Sequence, residues 1–234
     1  MATTTETPQT ATIPPFISDW LDTLADERLA DVVPDPARAA IFSTDMTVGF
    51  CDEGPLASPR VDALTEPVVA LFERAWALGI RHFVLPQDTH SADTPEFRAW
   101  PPHCVRGTAE PETIPELAHL PFADGFTIVE KNSLNPAIDT GFDAWWDAHT
   151  GIQTAIVVGD CTDLCVYQLA MHLRLRANAL NRHDFDVIVP AHAVDTFDIP
   201  AGSGTTMPHP GDFFHAVFLY HMALNGIRVV RSLR

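Results

Sequence analysis

Thr154-Ala-Ile-Val-Val-Gly-Asp-Cys-Thr-Asp-Leu-Cys165 is the stretch whose reading decides the fold. Thr154 to Val158 is a short, β-branched, apolar run, the pattern of a strand buried on both faces. Gly159, Asp160, Thr162 and Asp163 break that run. From Cys165 the spacing becomes helical, with Val166, Leu169, Ala170 and Leu173 sharing a face. A buried strand therefore ends, the chain turns sharply, and a helix begins with a cysteine in its first turn. A thiol there meets the positive end of the helix dipole, which favours the thiolate. A free cysteine is also commonly a small buried apolar residue and nothing more. The local pattern supports nucleophile and packing residue about equally, and the rest of the chain has to decide.

Working outward, strand and helix patterns alternate. Ala39 to Ser43 reads as a buried strand ending at Asp45, and Leu64 to Leu78 as an amphipathic helix closed by Gly79. His82 to Pro86 is a second strand, ending near Asp88. Residues 89–123 form a long proline-rich loop, of the kind that usually carries function. Phe126 to Val129 is a third strand ending at Lys131, and Phe142 to Thr150 a short helix. After the fourth strand, Thr154 to Val158, a helix runs from Cys165 to about Asn181. Phe185 to Pro190 is a fifth strand, Gly211 to Asn225 a helix, and Arg228 to Leu233 a sixth strand. Such alternation predicts an α/β fold in three α/β/α layers: a six-stranded, mainly parallel sheet in Rossmann-like order, with helices on both faces. Residues 37–234 are expected to form this one domain. Residues 1–36 are expected to be an extension, unstructured to about residue 14 and helical from Ile17 to Leu29, packed on the body or on a partner subunit.

Charge and composition exclude several functions. A net charge of −17 leaves no cationic surface for nucleic acid or for an anionic membrane face. No apolar run is long enough to span a bilayer, and the N-terminus lacks the basic and apolar regions of a signal peptide. Four cysteines (Cys51, Cys104, Cys161, Cys165) in this length do not resemble a disulfide framework, so a reduced, cytoplasmic protein is expected. There is neither a Gly-x-Gly-x-x-Gly after the first strand nor a Gly-x-x-x-x-Gly-Lys phosphate loop. Lys131 is the single lysine beside thirteen arginines. Arginine replaces lysine readily on a surface, but not where a compact, titratable point charge is required.

Ligands of open parallel sheets bind beyond the carboxyl ends of the strands. There the sequence delivers Asp45 after strand one, Lys131 after strand three and Cys165 after strand four. Each is weak alone, since a carboxylate after a strand is usually a turn or a cap. Together they are a base, a cation and a nucleophile, the parts of a covalent hydrolase. The second strand brings Asp88, His90, Glu96 and His103 to the same edge. Two imidazoles and two carboxylates suit a divalent transition metal; zinc is expected, with iron and manganese compatible. In Trp100-Pro-Pro-His103 the prolines hold the aromatic ring and the imidazole at defined positions. His215 and His221 lie on a mostly apolar helix and are expected to be hydrogen-bonded structural residues. His209 sits in a Pro-Gly loop, Met207 to Gly211, that is expected to reach a subunit interface.

From about residue 37 to the end, the chain resembles the isochorismatase-like cysteine hydrolases, and within them the nicotinamidases. Thr44-Asp45 with Phe50, Glu130-Lys131, and Gly159-Asp-Cys-Thr-Asp-Leu-Cys165 are similar to three motifs of that family, in its order and spacing. Asp88-x-His90, Glu96 and Trp100-Pro-Pro-His103-Cys-Val-Arg-Gly-Thr108 resemble the nicotinamidase metal site. The resemblance implies Asp45 as general base, Lys131 as catalytic lysine and Cys165 as nucleophile. It also implies a cis peptide between Asp160 and Cys161, which would aim the backbone N–H groups of Cys161 and Cys165 at a developing oxyanion. The expected reaction is hydrolysis of nicotinamide through a thioester, with Phe50 and Trp100 sandwiching the ring and a metal holding its nitrogen. Family members commonly assemble, so a homo-oligomer is expected. Thr47, Leu164 and Asn132-Ser-Leu-Asn-Pro136 depart from the family pattern and line the pocket, so they bear on the substrate more than on the chemistry. A second reading keeps the enzyme class and changes the substrate to another small amide or carbamoyl compound. A third, of a different class, is a catalytically silent metal- or ligand-binding protein on this fold, in which Cys165 would react like an ordinary exposed thiol.

Overall fold

The computed structural model describes residues 11–200 and 207–234. Six strands form its central path: β1 (Ala39–Thr44), β2 (His82–Asp88), β3 (Thr127–Lys131), β4 (Thr154–Asp160), β5 (Asp186–Pro190) and β6 (Arg228–Val230). Their spatial order is β3-β2-β1-β4-β5-β6, and all five pairings are parallel. The two-residue strand Val194–Asp195 adds to the end of β4.

The helices are α1 (Pro15–Asp22), α2 (Thr65–Leu78), α3 (Phe142–Ala148), α4 (Cys165–Ala179) and α5 (Gly211–Leu224), with shorter helical turns between. Side chains of a strand alternate between faces, and the core divides accordingly. Ile41, Ile156 and Val158 pack with Val68, Leu71 and Phe72 of α2. Ala40, Phe42, Ala155 and Val157 pack with Phe142, Leu169, Leu173 and Leu219 from α3, α4 and α5. Both faces are covered, which explains why the strands read as continuous apolar runs. Gly79 closes α2 in the left-handed conformation (φ 112°), as its sequence position predicts.

Three boundaries differ from the sequence reading. The N-terminal helix runs only from Pro15 to Asp22, because Asp26 and Glu27 are taken into a parallel pairing with Ser232 and Leu233. That pairing also splits the expected sixth strand. After Val230 the chain leaves the main sheet, and the Arg231 amide donates to the Ala25 carbonyl instead. Helical spacing was thus overridden by a tertiary contact between the chain's two ends. The expected long loop, 89–123, contains helical turns at Pro95–Arg98 and Pro115–Ala118, each begun by a proline suited to a first helical turn.

The segment before β1 packs on the same body: Phe16 and Trp20 meet the Tyr220 ring edge-on, while Leu29, Val32 and Val33 are buried. Of the start expected to be unstructured, residues 1–10 lie outside the described residues, and residues 11–14 have no regular structure. Among the described residues no helix is long and apolar enough to cross a membrane.

The strand order reverses between β1 and β4, and the chain at that switch point is close-packed. Gly159 has φ 98°, and a Cβ on it would stand 2.1 Å from the Thr44 carbonyl oxygen. Only glycine lets β4 pass β1 so closely while turning into the segment that carries Cys165.

Candidate active site

Register brings the reactive side chains together. Thr44 pairs with Gly159 and Asp88 with Lys131, so β1, β2, β3 and β4 end at one level. Asp45 follows β1 in the left-handed region (φ 54°), which aspartate tolerates better than most residues. Its Oδ1 accepts from the Asp88 amide at 2.7 Å, and its Oδ2 lies 2.9 Å from Lys131 Nζ. Lys131 Nζ donates to Asp88 Oδ1 at 2.5 Å and to Cys165 Sγ at 3.3 Å. Asp45, Asp88 and Cys165 offer atoms within 4.8 Å of one another. All four side chains are buried, so the lone lysine is a fully enclosed ammonium between two carboxylates.

Burial sets the protonation states. It raises the Asp45 carboxyl, and the neighbouring Asp88 charge raises it further, making Asp45 a stronger base than an ordinary carboxylate. Burial also acts to raise Asp88, but the Lys131 ammonium, with the neighbouring His103 and His90 imidazoles, outweighs it and holds Asp88 well below the carboxylate range. Lys131 stays charged: burial opposes the charge, but Asp45 and Asp88 more than compensate. The Cys165 thiol is pushed well above its ordinary range, first by burial and then by Asp45. This corrects the expectation of a thiolate set by the helix N-terminus. The desolvated thiol keeps its proton until a base removes it, and the Asp45 carboxylate is its neighbour.

The peptide between Asp160 and Cys161 is cis. Within the turn, the Thr162 amide donates to the Asp195 carbonyl and the Leu164 amide to the Cys161 carbonyl, while the Cys161 amide has no backbone acceptor among the described residues. Thr44 Oγ1 donates to the Asp160 carbonyl at 2.8 Å, pinning the start of the turn to β1.

Asp88, His90, Glu96 and His103 converge beside this group, with one ligand atom of each within 4.8 Å of all the others. His90 Nε2 lies 3.4 Å from Asp88 Oδ1 and 3.7 Å from Glu96 Oε1, and His103 Nε2 lies 3.7 Å from Asp88 Oδ2. These separations are too long for hydrogen bonds. Asp88 Oδ2, His90 Nε2 and Glu96 Oε1 are buried without a partner among the described residues. Their outer nitrogens are anchored: His90 Nδ1 lies 3.3 Å from Asn132 Oδ1, and His103 Nδ1 2.8 Å from the Pro101 carbonyl oxygen. Imidazoles fixed from behind, with lone pairs facing a shared gap, are what a metal site requires. Two nitrogen and two carboxylate donors fit a divalent transition ion.

A small, tight pocket lies between the two clusters. Its apolar wall is Phe50, Leu56, Trp100, Leu134, Leu164 and Phe197, and among the described residues no lysine or arginine lines it. Phe50 and Trp100 are therefore both pocket residues, and Phe50 also meets the His103 ring edge-on. Leu134, from the stretch 132–136 expected to line the pocket, and Leu164 do so, whereas sequence reasoning did not select Leu56 or Phe197. Phe197 reaches the pocket through loop packing that leaves no periodic signal.

The remaining histidines sort as follows. His215 Nδ1 pairs with Thr162 Oγ1 at 2.9 Å, and His221 Nδ1 lies 3.2 Å from Tyr167 Oη, both hydrogen-bonded as expected. The His209 side chain points inward. It is buried, with Nε2 2.7 Å from Asp163 Oδ2, because its ring is enclosed by Phe197 and Phe214.

Comparison with known proteins places the chain in a family and matches its fold. The sequence profile described as the isochorismatase domain matches residues 39–207. "Nicotinamidase 1" of Arabidopsis thaliana is 32% identical over 157 residues, a match covering 62% of this chain and 64% of that protein. The chain thus spans a little under two thirds of that relative's length. The solved structure of N-carbamoylsarcosine amidase from Thermoplasma acidophilum is 28% identical with a TM-score of 0.60, covering 83% of this chain and 96% of that one. Nicotinamidase from Bacillus subtilis, 22% identical with a TM-score of 0.66 over 82% and 99% of the two chains, shares the fold.

Proposed function

We propose, from the premise that the chain belongs to the isochorismatase domain family, that it hydrolyses a small uncharged aromatic primary amide, nicotinamide foremost, through a thioester on Cys165. One observation carries the choice of substrate. The cavity beside Cys165 has a wall of six large apolar side chains, a cluster of unpartnered donors at its side and, among the described residues, no cationic lining residue. A flat neutral ring suits that wall. A substrate carrying a carboxylate would find no lysine or arginine among the described lining residues and would meet Asp45, Asp88 and Glu96.

Asp45 Oδ2 takes the Cys165 proton, and Sγ attacks the carboxamide carbon. The oxyanion that forms accepts from the backbone N–H groups of Cys161 and Cys165. Lys131, charged and 3.3 Å from Sγ, offsets the negative charge that passes between sulfur and carboxylate. Asp45 returns the proton to nitrogen, ammonia leaves, and a thioester remains. Water then attacks with Asp45 as base, releasing the acid and restoring the thiol. Asp88, His90, Glu96 and His103 would hold a divalent metal, zinc, iron or manganese. When bound, that ion would supply a Lewis-acid contact for a ring nitrogen. Phe50 and Trp100 would orient the ring so that its carboxamide faces Sγ.

The test is ammonia release by the metal-loaded protein from nicotinamide, benzamide and N-carbamoylsarcosine. Nicotinamide is expected to be preferred over the carboxylate-bearing compound by at least about 100-fold in kcat/KM, the scale of about 3 kcal/mol. The reverse order would favour a carbamoyl substrate, the reading supported by the similarity to N-carbamoylsarcosine amidase.

A further inference from the structure

We propose that His209 is a positioning residue: as an imidazolium held between Asp163 and the Phe197 carbonyl, it ties the Cys161–Cys165 turn to the pocket wall, so that the reactivity of Cys165 depends on its protonation.

The chemistry of its partners fixes the state of the ring. Nδ1 lies 3.0 Å from the Phe197 carbonyl oxygen, and Nε2 lies 2.7 Å from Asp163 Oδ2. A carbonyl oxygen and a carboxylate only accept, so both ring nitrogens must donate, and an imidazole with two N–H groups is charged. Asp163 and His209 are both buried, so the pair is a shielded ion pair. A neutral ring could serve only one of the two acceptors and would leave the other buried and unpaired.

The pair joins two things that matter to the site. Asp163 sits in the turn, between Cys161 and the nucleophile. Phe197 lines the cavity and packs edge-on against Trp100, another wall residue. His209 is itself fixed by a two-rung backbone pairing with Ile199, at 2.9 and 2.8 Å, and its ring stacks on Phe214 at 4.5 Å. The charged groups that face it are Asp163 from the turn and Asp198 from the opposing segment, where Asp198 Oδ1 accepts from the Gly211 amide. Trp100, Phe197 and Phe214 cover the rest of the ring. Behind Asp163, Thr162 is held by His215, which lies 3.7 Å from Asp195, and Asp195 pairs with Arg60, itself bound to Asp212.

Burial works against the charge on His209, but the Asp163 hydrogen bond and charge outweigh it, and its pKa lies above the ordinary imidazole value. A raised folded-state pKa means the latch is complete below about pH 6.5, the ordinary value. It is lost as pH rises through the raised one.

The proposal rests on Cys165 being the nucleophile. Its test follows iodoacetamide alkylation of Cys165, and nicotinamide turnover, across about pH 6 to 9, in metal-loaded protein. In the wild type both rates should fall on the alkaline side. Asp163→Asn can donate to a neutral Nε2 while Nδ1 still serves Phe197, so it keeps both hydrogen bonds. It should hold rates within about threefold of the wild type at neutral pH and lose the alkaline fall. His209→Asn can reach only one acceptor and should lower kcat by about tenfold or more where the latch is complete, below about pH 6.5, and approach the wild type on the alkaline side, with KM changed far less. Unchanged kcat in His209→Asn, or an alkaline fall that persists in Asp163→Asn, would overturn the latch; the second variant decides should the first fail to fold. A wild-type Cys165 that alkylates like an exposed thiol would sink the nucleophile reading with it. Fast wild-type alkylation with indifferent variants would sink the latch alone.

Discussion

Two buried charge clusters share Asp88, and protein atoms complete only one of them. In the first, Lys131 neutralises Asp45 and Asp88 and touches Cys165, all at 2.5 to 3.3 Å. In the second, His90 and His103 lie 3.4 and 3.7 Å from the same aspartate, Glu96 lies 3.7 Å from His90, and buried lone pairs are left unmatched. The first is preorganised for chemistry without any addition. The second is a set of acceptors aimed at one another, tolerable only when a cation or protons satisfy them. Under the proposed function the difference is a division of labour, with bond making in the closed cluster and substrate orientation in the open one.

The largest effect expected is from breaking the closed cluster at its centre. Lys131→Met removes the ammonium and leaves Asp45 facing Asp88. It should cost about 3–5 kcal/mol of stability, read by denaturant unfolding, because an uncompensated buried charge remains. It should also lower kcat by about 10⁴-fold. Wild-type stability in this variant would mean that the two carboxylates are not both charged. Next comes Asp45→Asn, which keeps the shape and removes the base; kcat should drop by about 10³-fold, with far less loss of stability than Lys131→Met. Equal destabilisation by the two would erase the distinction between a structural and a chemical charge.

The open cluster should respond to metal where the closed one does not. Adding zinc or manganese ions to chelated protein is expected to raise its thermal midpoint, by an amount equivalent to about 4 kcal/mol when free ion exceeds its Kd a thousandfold. His103→Ala should abolish most of that rise, while Cys165→Ala should retain it. Chelation should also lower kcat/KM for nicotinamide by at least about tenfold. The smallest effect expected is at the wall. Trp100→Ala should raise KM by roughly fivefold, on the scale of a single aromatic contact, and leave kcat within a factor of about two.

Much of the closed cluster could be read in the sequence, because each member stands at the end of a strand that announces itself. The apolar runs at Ala39, His82, Phe126 and Thr154 each stop at a polar residue, and parallel registers align those stops. The lone lysine marked the centre by its rarity. The second cluster was visible for a different reason: Asp88-x-His90 and the proline-braced His103 are local patterns. What stayed hidden depends on contacts between distant segments. Nothing near Ile17 to Leu29 shows that Asp26 will pair with Ser232, and nothing near His209 shows that it turns inward to Asp163. The thiol's state was misread because the helix terminus is a local feature, whereas the burial that outweighs it arises only when the layers close.

The central claim is that Cys165 forms the bond to the amide carbon. Ammonia and nicotinate release from nicotinamide should be measured for metal-loaded wild type and Cys165→Ala at equal, verified folding. The account predicts equimolar products from the wild type and a loss of at least about 10⁴-fold in the variant. Comparable release by Cys165→Ala would contradict it and transfer the attack to water.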